Sequence, residues 1–255
     1  MSLIFEARTD KGQKRDHNED SFHINVDESL FIVADGMGGQ AAGETASSMA
    51  VKSIDEFIRN THDDSEVTWP IEYNAKLTRN GNRLEAAVRI AHRKIYEFSL
   101  TQEKYGGMGT TVVCALFDNV NRLTTANVGD SRLYLYRRDE FTQMTTDHSW
   151  VNEQVKLGLL TQEQAKYHPY RNVVTRALGG KDDFMIDIDE IELKNEDIVL
   201  MCTDGLTTMV PDARIAQIIK EHKERLDVIV DVLIRTANVS GGDDNITVVL
   251  AKYTE

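Results

Sequence analysis

The feature that most constrains this chain is a succession of short strand-like runs, most of them joined with no helix between. Such runs are read at residues 4–8, 21–26, 30–34, 110–117, 123–128, 133–136, 141–144, 188–193, 198–202 and 246–252. Consecutive short strands pair antiparallel most readily, because a tight turn suffices to join them, whereas parallel neighbours need a long crossover. Several runs alternate polar and apolar residues, as suits a sheet covered on one face. Apolar residues at helical spacing occupy three longer stretches. They are Ala46, Met49, Ala50, Ile54, Phe57 and Ile58 within 44–60; Leu84, Ala87, Val88, Ala91, Ile95 and Phe98 within 83–100; and Leu226, Ile229, Val230, Leu233 and Ile234 within 226–238. Each stripe is read as the core-facing side of a helix. The pattern predicts an α+β fold with helices packed outside the sheets. With three prolines and no low-complexity stretch in 255 residues, one domain is expected over 1–255. Residues 145–181 read differently. They are polar, carry His148, His168 and Arg176, and are expected to form a short helical flap over a site.

Composition narrows the function. A net charge of −13 repels a phosphate backbone, which argues against nucleic acid as substrate. The same charge repels any phosphorylated ligand, so a phosphate site must be built locally from cations and a few placed arginines. The cysteines, Cys114 and Cys202, lie in apolar runs and read as buried small hydrophobes. The first residues lack a signal-peptide core, and no apolar run approaches the ~20 residues needed to span a bilayer. A cytoplasmic enzyme without membrane contact is expected, with a monomer as the default.

Acidic residues gather in sharp turns at strand ends. Asn18-Glu19-Asp20 precedes a strand, and Asp35-Gly36-Met37-Gly38-Gly39 follows the apolar run 30–34. Gly129-Asp130-Ser131 lies between two strands, Thr203-Asp204-Gly205 follows Ile-Val-Leu-Met-Cys, and Gly241-Gly242-Asp243-Asp244-Asn245 precedes the last strand. An aspartate at the end of a buried strand loses hydration unless something pairs with it, and one cation can pair with several. Neighbouring glycines let the backbone turn tightly and bring a carbonyl oxygen close. All-oxygen ligands suit hard Mg²⁺ or Mn²⁺ rather than zinc. Turns are also rich in Asp and Gly for purely conformational reasons, so any one of these segments alone says little. Arg15 stands four and five residues before Glu19 and Asp20, within reach of the same site, and a guanidinium can hold two phosphate oxygens at once.

Together these residues resemble the PP2C (PPM) family of metal-dependent protein phosphatases in its bacterial form. The pieces occur in family order: R-x-x-N-E-D at 15–20, D-G-M-G-G-x-x-x-G-E at 35–44, G-T-T at 109–111, N-V-G-D-S-R at 127–132, T-D-G at 203–205 and D-D-N-I-T at 243–247. The resemblance implies a central sandwich of two antiparallel β-sheets flanked on both sides by α-helices, in four layers. It implies two metals bridged by Asp35, the first completed by Asp204 and Asp244. The second would take the carbonyl of Gly36, with Glu19 and Asp20 reached through water. Asp130 and Asp204 match the ligands of a third, weaker metal, and Arg15 matches the phosphate-binding arginine. The implied reaction is hydrolysis of phosphoserine and phosphothreonine in proteins by in-line attack of a hydroxide shared between two Mg²⁺ or Mn²⁺ ions. By the same resemblance the partners are phosphoproteins, with a serine/threonine kinase or its substrates among them.

The chain departs from the family where a proton donor is expected. Many eukaryotic relatives carry His at the position of Met37, and bacterial relatives often carry His at the position of Gln40. Neither residue here can donate a proton, which leaves a bound water, His17 or His148. Other phosphatase chemistries lack their signatures: Cys114 and Cys202 are followed six residues later by Val120 and Thr208, not Arg, and Gly180-Lys181 continues as Asp182. Two rival readings stand beside the first. One is a phosphohydrolase for a small phosphoester, with its specificity set in the flap. The other is a weakly catalytic phosphoprotein-binding relative, whose mark would be lost ligand aspartates.

Overall fold

The computed structural model describes residues 2–38, 42–62, 72–180 and 185–255. Among these residues, eleven strands and seven α-helices follow one another as β1 Ser2–Asp10, β2 Asp20–Asn25, β3 Leu30–Met37, α1 Ala42–Asn60, α2 Arg79–Ser99, β4 Gly109–Thr110, β5 Val112–Phe117, β6 Arg122–Val128, β7 Arg132–Arg137, β8 Glu140–Gln143, α3 Trp150–Lys156, α4 Gln162–Lys166, β9 Asp187–Glu192, β10 Ile198–Cys202, α5 Asp204–Thr207, α6 Asp212–His222, α7 Leu226–Val239 and β11 Ile246–Thr254. One sheet has the order β1-β11-β10-β7-β8, and the other β2-β3-β5-β6-β9 with β4 beside β3. All these pairings are antiparallel.

Period-2 alternation explains why β5 and β10 are apolar throughout. In β5, Val113, Ala115 and Phe117 face the other sheet, while Val112, Cys114 and Leu116 face α1 and α2. In β10, Val199 and Met201 lie between the sheets, and Ile198, Leu200 and Cys202 pack with α6 and α7. Both faces of these two strands are covered, which favours apolar residues at every position. The result is helices, sheet, sheet, helices. This is the expected α+β sandwich in four layers, and both cysteines are buried in it.

Three local expectations change. The second helix begins at Arg79 rather than 83, because Thr78 caps it by accepting the Gly81 N–H at 3.2 Å. The run 110–117 is broken: β4 pairs with Gly36 and Met37, and β5 begins only at Val112. At the break, Thr111 Oγ1 accepts the Asp35 N–H at 3.0 Å, and the Thr111 N–H donates to the Asp35 carbonyl at 2.9 Å. Helix α6 has no counterpart among the expected helices. Its buried stripe is just Ile215, Ile218 and Ile219, too short to announce a period. Residues 145–180 do contain the short helices α3 and α4.

Candidate active site

Strand direction brings the acidic turns to one end of the sandwich. Asp20 opens β2 directly opposite Asp35 near the end of β3. Gly129-Asp130-Ser131 joins β6 to β7, whose first residue Arg132 pairs with Cys202 at the end of β10. Thr203 and Asp204 follow immediately, and β11 starts beside them after Asp244 and Asn245. Segments more than 200 residues apart in sequence therefore meet at a single rim.

The Asp20 carboxylate links the two sheets. Its Oδ2 accepts from the Thr203 hydroxyl at 2.8 Å and the Thr247 hydroxyl at 2.7 Å. Thr247 in turn lies 2.8 Å from the Thr9 hydroxyl, which accepts from Asn18 Nδ2 at 2.8 Å. Asp20 Oδ1 is buried with no hydrogen-bond partner among the described residues. Asn245 pins the neighbouring loop: its Oδ1 accepts the Glu19 N–H at 2.8 Å, and its Nδ2 donates to the carbonyls of Lys11 and His17, both at 2.9 Å. Backbones here approach so closely that a Cβ on Gly205 would stand 2.0 Å from the Asn245 carbonyl oxygen. One on Gly36 would stand 2.2 Å from that of Gly43. Only glycine fits either place.

The electrostatics are those of like charges confined together. Asp35 is held well above the usual carboxylate range, first by burial and then by Asp20, Asp204, Asp130 and Asp244. Burial likewise pushes Asp20 up to about 7, against the pull of its two threonine hydroxyls. Burial and Asp204 push Asp130 to about 7, and burial and Asp244 push Asp204 to about 6. Burial raises Glu19, with Arg15 opposing. Arg15 is half exposed, donates from Nη2 to Asp244 Oδ2 at 2.7 Å, and feels Glu19 and Asp35 as well.

The donor set fits hard divalent cations. It is all oxygen, carries several buried carboxylates that raise one another, and includes the unpartnered buried Asp20 Oδ1. The convergence is one of neighbours: among the described residues, no three His, Cys, Asp or Glu side chains stand as a finished metal cluster. Surface cavities of about 550 and 310 Å³ are lined by none of these carboxylates.

Asp20, Asp35, Asp130, Asp204, Asp244, Glu19 and Arg15, all expected from the sequence, thus share one electrostatic neighbourhood, with Gly36 packed against the Glu19 carbonyl. Thr203, Thr247, Asn245 and Thr111 were not singled out as site residues, although all four lie inside the quoted motifs. His148 is turned away from a proton-donating role. It is 4% exposed, its Nδ1 accepts the Gly129 N–H at 3.1 Å, and its Nε2 lies 3.1 Å from Asp187. His17 is exposed on the Arg15 loop. Met37 closes β3, and Gln40 lies outside the described residues.

Comparison with known proteins agrees with this geometry. Residues 9–247 match the family described as "Protein phosphatase 2C". The chain is 37% identical over 254 residues to the serine/threonine phosphatase stp of Listeria innocua, covering 97% of this chain and 94% of that protein. It is 38% identical to the protein phosphatase PhpP of Streptococcus pneumoniae, covering 97% and 96%. The solved catalytic domain of the serine threonine protein phosphatase PstP, in complex with two manganese ions, superposes with a TM-score of 0.83 at 33% identity over 99% of both chains. Likeness of this extent, in sequence and in fold alike, means that the chain belongs to the protein phosphatase 2C family.

Proposed function

We propose that this enzyme hydrolyses phosphoserine and phosphothreonine monoesters in proteins, using two Mg²⁺ or Mn²⁺ ions held at the acidic end of the sandwich. One observation carries the reading: the buried carboxylates Asp20, Asp35, Asp130 and Asp204, from four separate chain segments, raise one another's proton affinity at one end of the sandwich, with Arg15 and Asp244 beside them. The relatives named as serine/threonine phosphatases support it, as does the manganese in one of them.

In this reading Asp35 would serve both ions, Asp204 and Asp244 would help hold the first, and the Gly36 carbonyl would help hold the second. Glu19 and Asp20 would act through water, and Asp130 with Asp204 would hold a third, weaker ion. Such cations, when bound, acidify a water and offset charge on the phosphoryl oxygens. Asp20 Oδ2 is fully engaged by Thr203 and Thr247, so only Oδ1 is free to face that water. The Arg15–Asp244 pair is half exposed on both sides, and pairs of that kind contribute only ~0–1 kcal/mol. The guanidinium can therefore exchange the carboxylate for phosphate oxygens at small cost and stabilise their charge as the bond to the leaving group breaks. With both ring nitrogens of His148 engaged, His17 on the exposed Arg15 loop or a bound water protonates the departing serine or threonine oxygen.

The proposal treats 1–255 as one domain, with 145–181 as a flap that shapes substrate choice. It also treats the enzyme as a cytoplasmic monomer acting on substrates of a serine/threonine kinase. Among the described residues, no helix is long and apolar enough to cross a membrane. Phosphate release from a phosphothreonine peptide, measured with Mn²⁺ and after EDTA, tests the proposal. Turnover that survives thorough chelation refutes it, and faster turnover of nucleoside phosphates than of the peptide moves the substrate to small phosphoesters.

A further inference from the structure

We propose that His148, on the 145–180 excursion, is a positioning residue that fixes the Gly129-Asp130 turn through one ring nitrogen and ties it to Asp187 at the start of β9 through the other. The hydrogen bonds assign the tautomer. Nδ1 accepts the Gly129 N–H at 3.1 Å, so it carries no proton, and Nε2–H donates to Asp187 Oδ2 at 3.1 Å. Arg176 Nη1 lies 3.2 Å from Nε2, but two donors cannot bond each other; its partner is Asp187 Oδ1 at 3.3 Å. The backbone of His148 is engaged as well. Its N–H donates to the Gly129 carbonyl at 2.9 Å, and its carbonyl accepts the Thr175 N–H at 2.8 Å.

These bonds join three segments. Gly129 precedes Asp130, Asp187 opens β9 at the sheet edge, and Thr175 and Arg176 lie on the returning arm of the excursion. The two arms are stitched next to this point by the Ser149–Val174 bridge and by the Trp150 N–H to the Val173 carbonyl at 2.8 Å. Asn127 adds a bond from Nδ2 to the Thr146 carbonyl at 3.1 Å. A rigid neutral imidazole is suited to this place because it presents an acceptor and a donor at opposite ends. The imidazole is buried, and burial holds its proton affinity below the usual histidine range. A second proton would point at the Gly129 N–H, so the ring is built to stay neutral rather than to shuttle protons.

The inference rests on the reading of Asp130 as a metal ligand, and the test separates the two. An asparagine places its oxygen where Nδ1 stands, whereas a glutamine reaches only the place of Nε2. The experiment titrates Mn²⁺ calorimetrically into the full chain and follows Trp150 emission in a Trp69→Phe background, for His148→Asn, His148→Gln, Asp187→Asn and Asp130→Asn. His148→Gln is expected to weaken the weakest Mn²⁺ site by about tenfold, the lower end of what the loss of a supporting partner does to metal affinity. His148→Asn and Asp187→Asn are expected to leave that site within about threefold of wild type and to shift Trp150 emission alike. Equal Mn²⁺ affinity in His148→Asn and His148→Gln overturns the proposal, whether both are weakened or neither. If His148→Gln fails to fold, Asp187→Asn decides: a tenfold loss of Mn²⁺ affinity there overturns the division of labour, and retained affinity with shifted emission supports it. If Asp130→Asn removes a Mn²⁺ site that His148→Gln retains, only this inference falls. If Asp130→Asn removes none, the reading of Asp130 falls first.

Discussion

Removing one buried charge, with no substrate present, tests the acidic cluster directly. Asp20 has a carboxyl pushed from 3.8 to about 7 by burial, with Asp204 and Asp244 adding to it. A folded-state value above the unfolded one means that the fold favours the protonated form. The stabilisation is fully present below pH ~4 and is lost as the pH rises towards 7. The gap corresponds to ~4 kcal/mol, since each tenfold change in proton affinity is worth ~1.4 kcal/mol. Asp20→Asn keeps an oxygen for the Thr203 and Thr247 hydroxyls and abolishes the titration. Its amide nitrogen takes the place of the unpartnered Oδ1, a penalty of about 1–3 kcal/mol that does not vary with pH. The observable is therefore a swing. In EDTA, the melting temperature of Asp20→Asn relative to wild type rises between pH 4 and pH 8 by about 10 °C, taking about 2–4 °C per kcal/mol at this size. Mn²⁺ reverses the order at pH 8, because a bound cation offsets the charges that repel one another without it and favours the deprotonated wild type. Scanning calorimetry of both proteins at the two pH values, with and without Mn²⁺, makes the measurement. A difference in melting temperature that stays flat across pH would show that the Asp20 charge is not confined as the geometry implies.

Asp35→Asn and Asp204→Asn are each expected to lower turnover at saturating phosphopeptide by about 10² or more, since each removes charge from the site that stabilises the transition state; steady-state assays in excess Mn²⁺ check this. Arg15→Ala should raise KM by at least about tenfold with Mn²⁺ affinity near that of wild type, because the guanidinium's ion pair with Asp244 is partly exposed and weak. Kinetics beside Mn²⁺ calorimetry separate the two effects, and loss of Mn²⁺ binding would remove Arg15 from its phosphate role. Gly205→Ala forces a Cβ to within 2.0 Å of the Asn245 carbonyl oxygen and must push the Asp204 and Asp244 segments apart. A loss of about 1–3 kcal/mol in urea unfolding is expected, with Mn²⁺ affinity falling as well.

What could be read from the sequence, and what could not, divides along a physical line. Periodicity reports which face of an element is buried, so the three apolar stripes became α1, α2 and α7, and the doubly buried runs became β3, β5, β10 and β11. Helix α6 was hidden because three isoleucines do not make a period. The break at Thr111 was hidden because it depends on a partner 76 residues away, the Asp35 N–H. The acidic turns were visible one by one; their convergence was expected only through the family resemblance, because no local signal says that Asp20 faces Asp35 or that Cys202 pairs with Val248. That second register places Thr203 beside Thr247, and the two hydroxyls together hold one oxygen of Asp20. A one-residue slip of β11 would turn Thr247 to the other face and leave Asp20 half satisfied between the sheets. The threonines of the T-D-G and D-D-N-I-T segments are thus as necessary to the site as the aspartates beside them. They bind the cluster to the sheet register, so the ability to gather cations at the rim depends on the packing of the core beneath it.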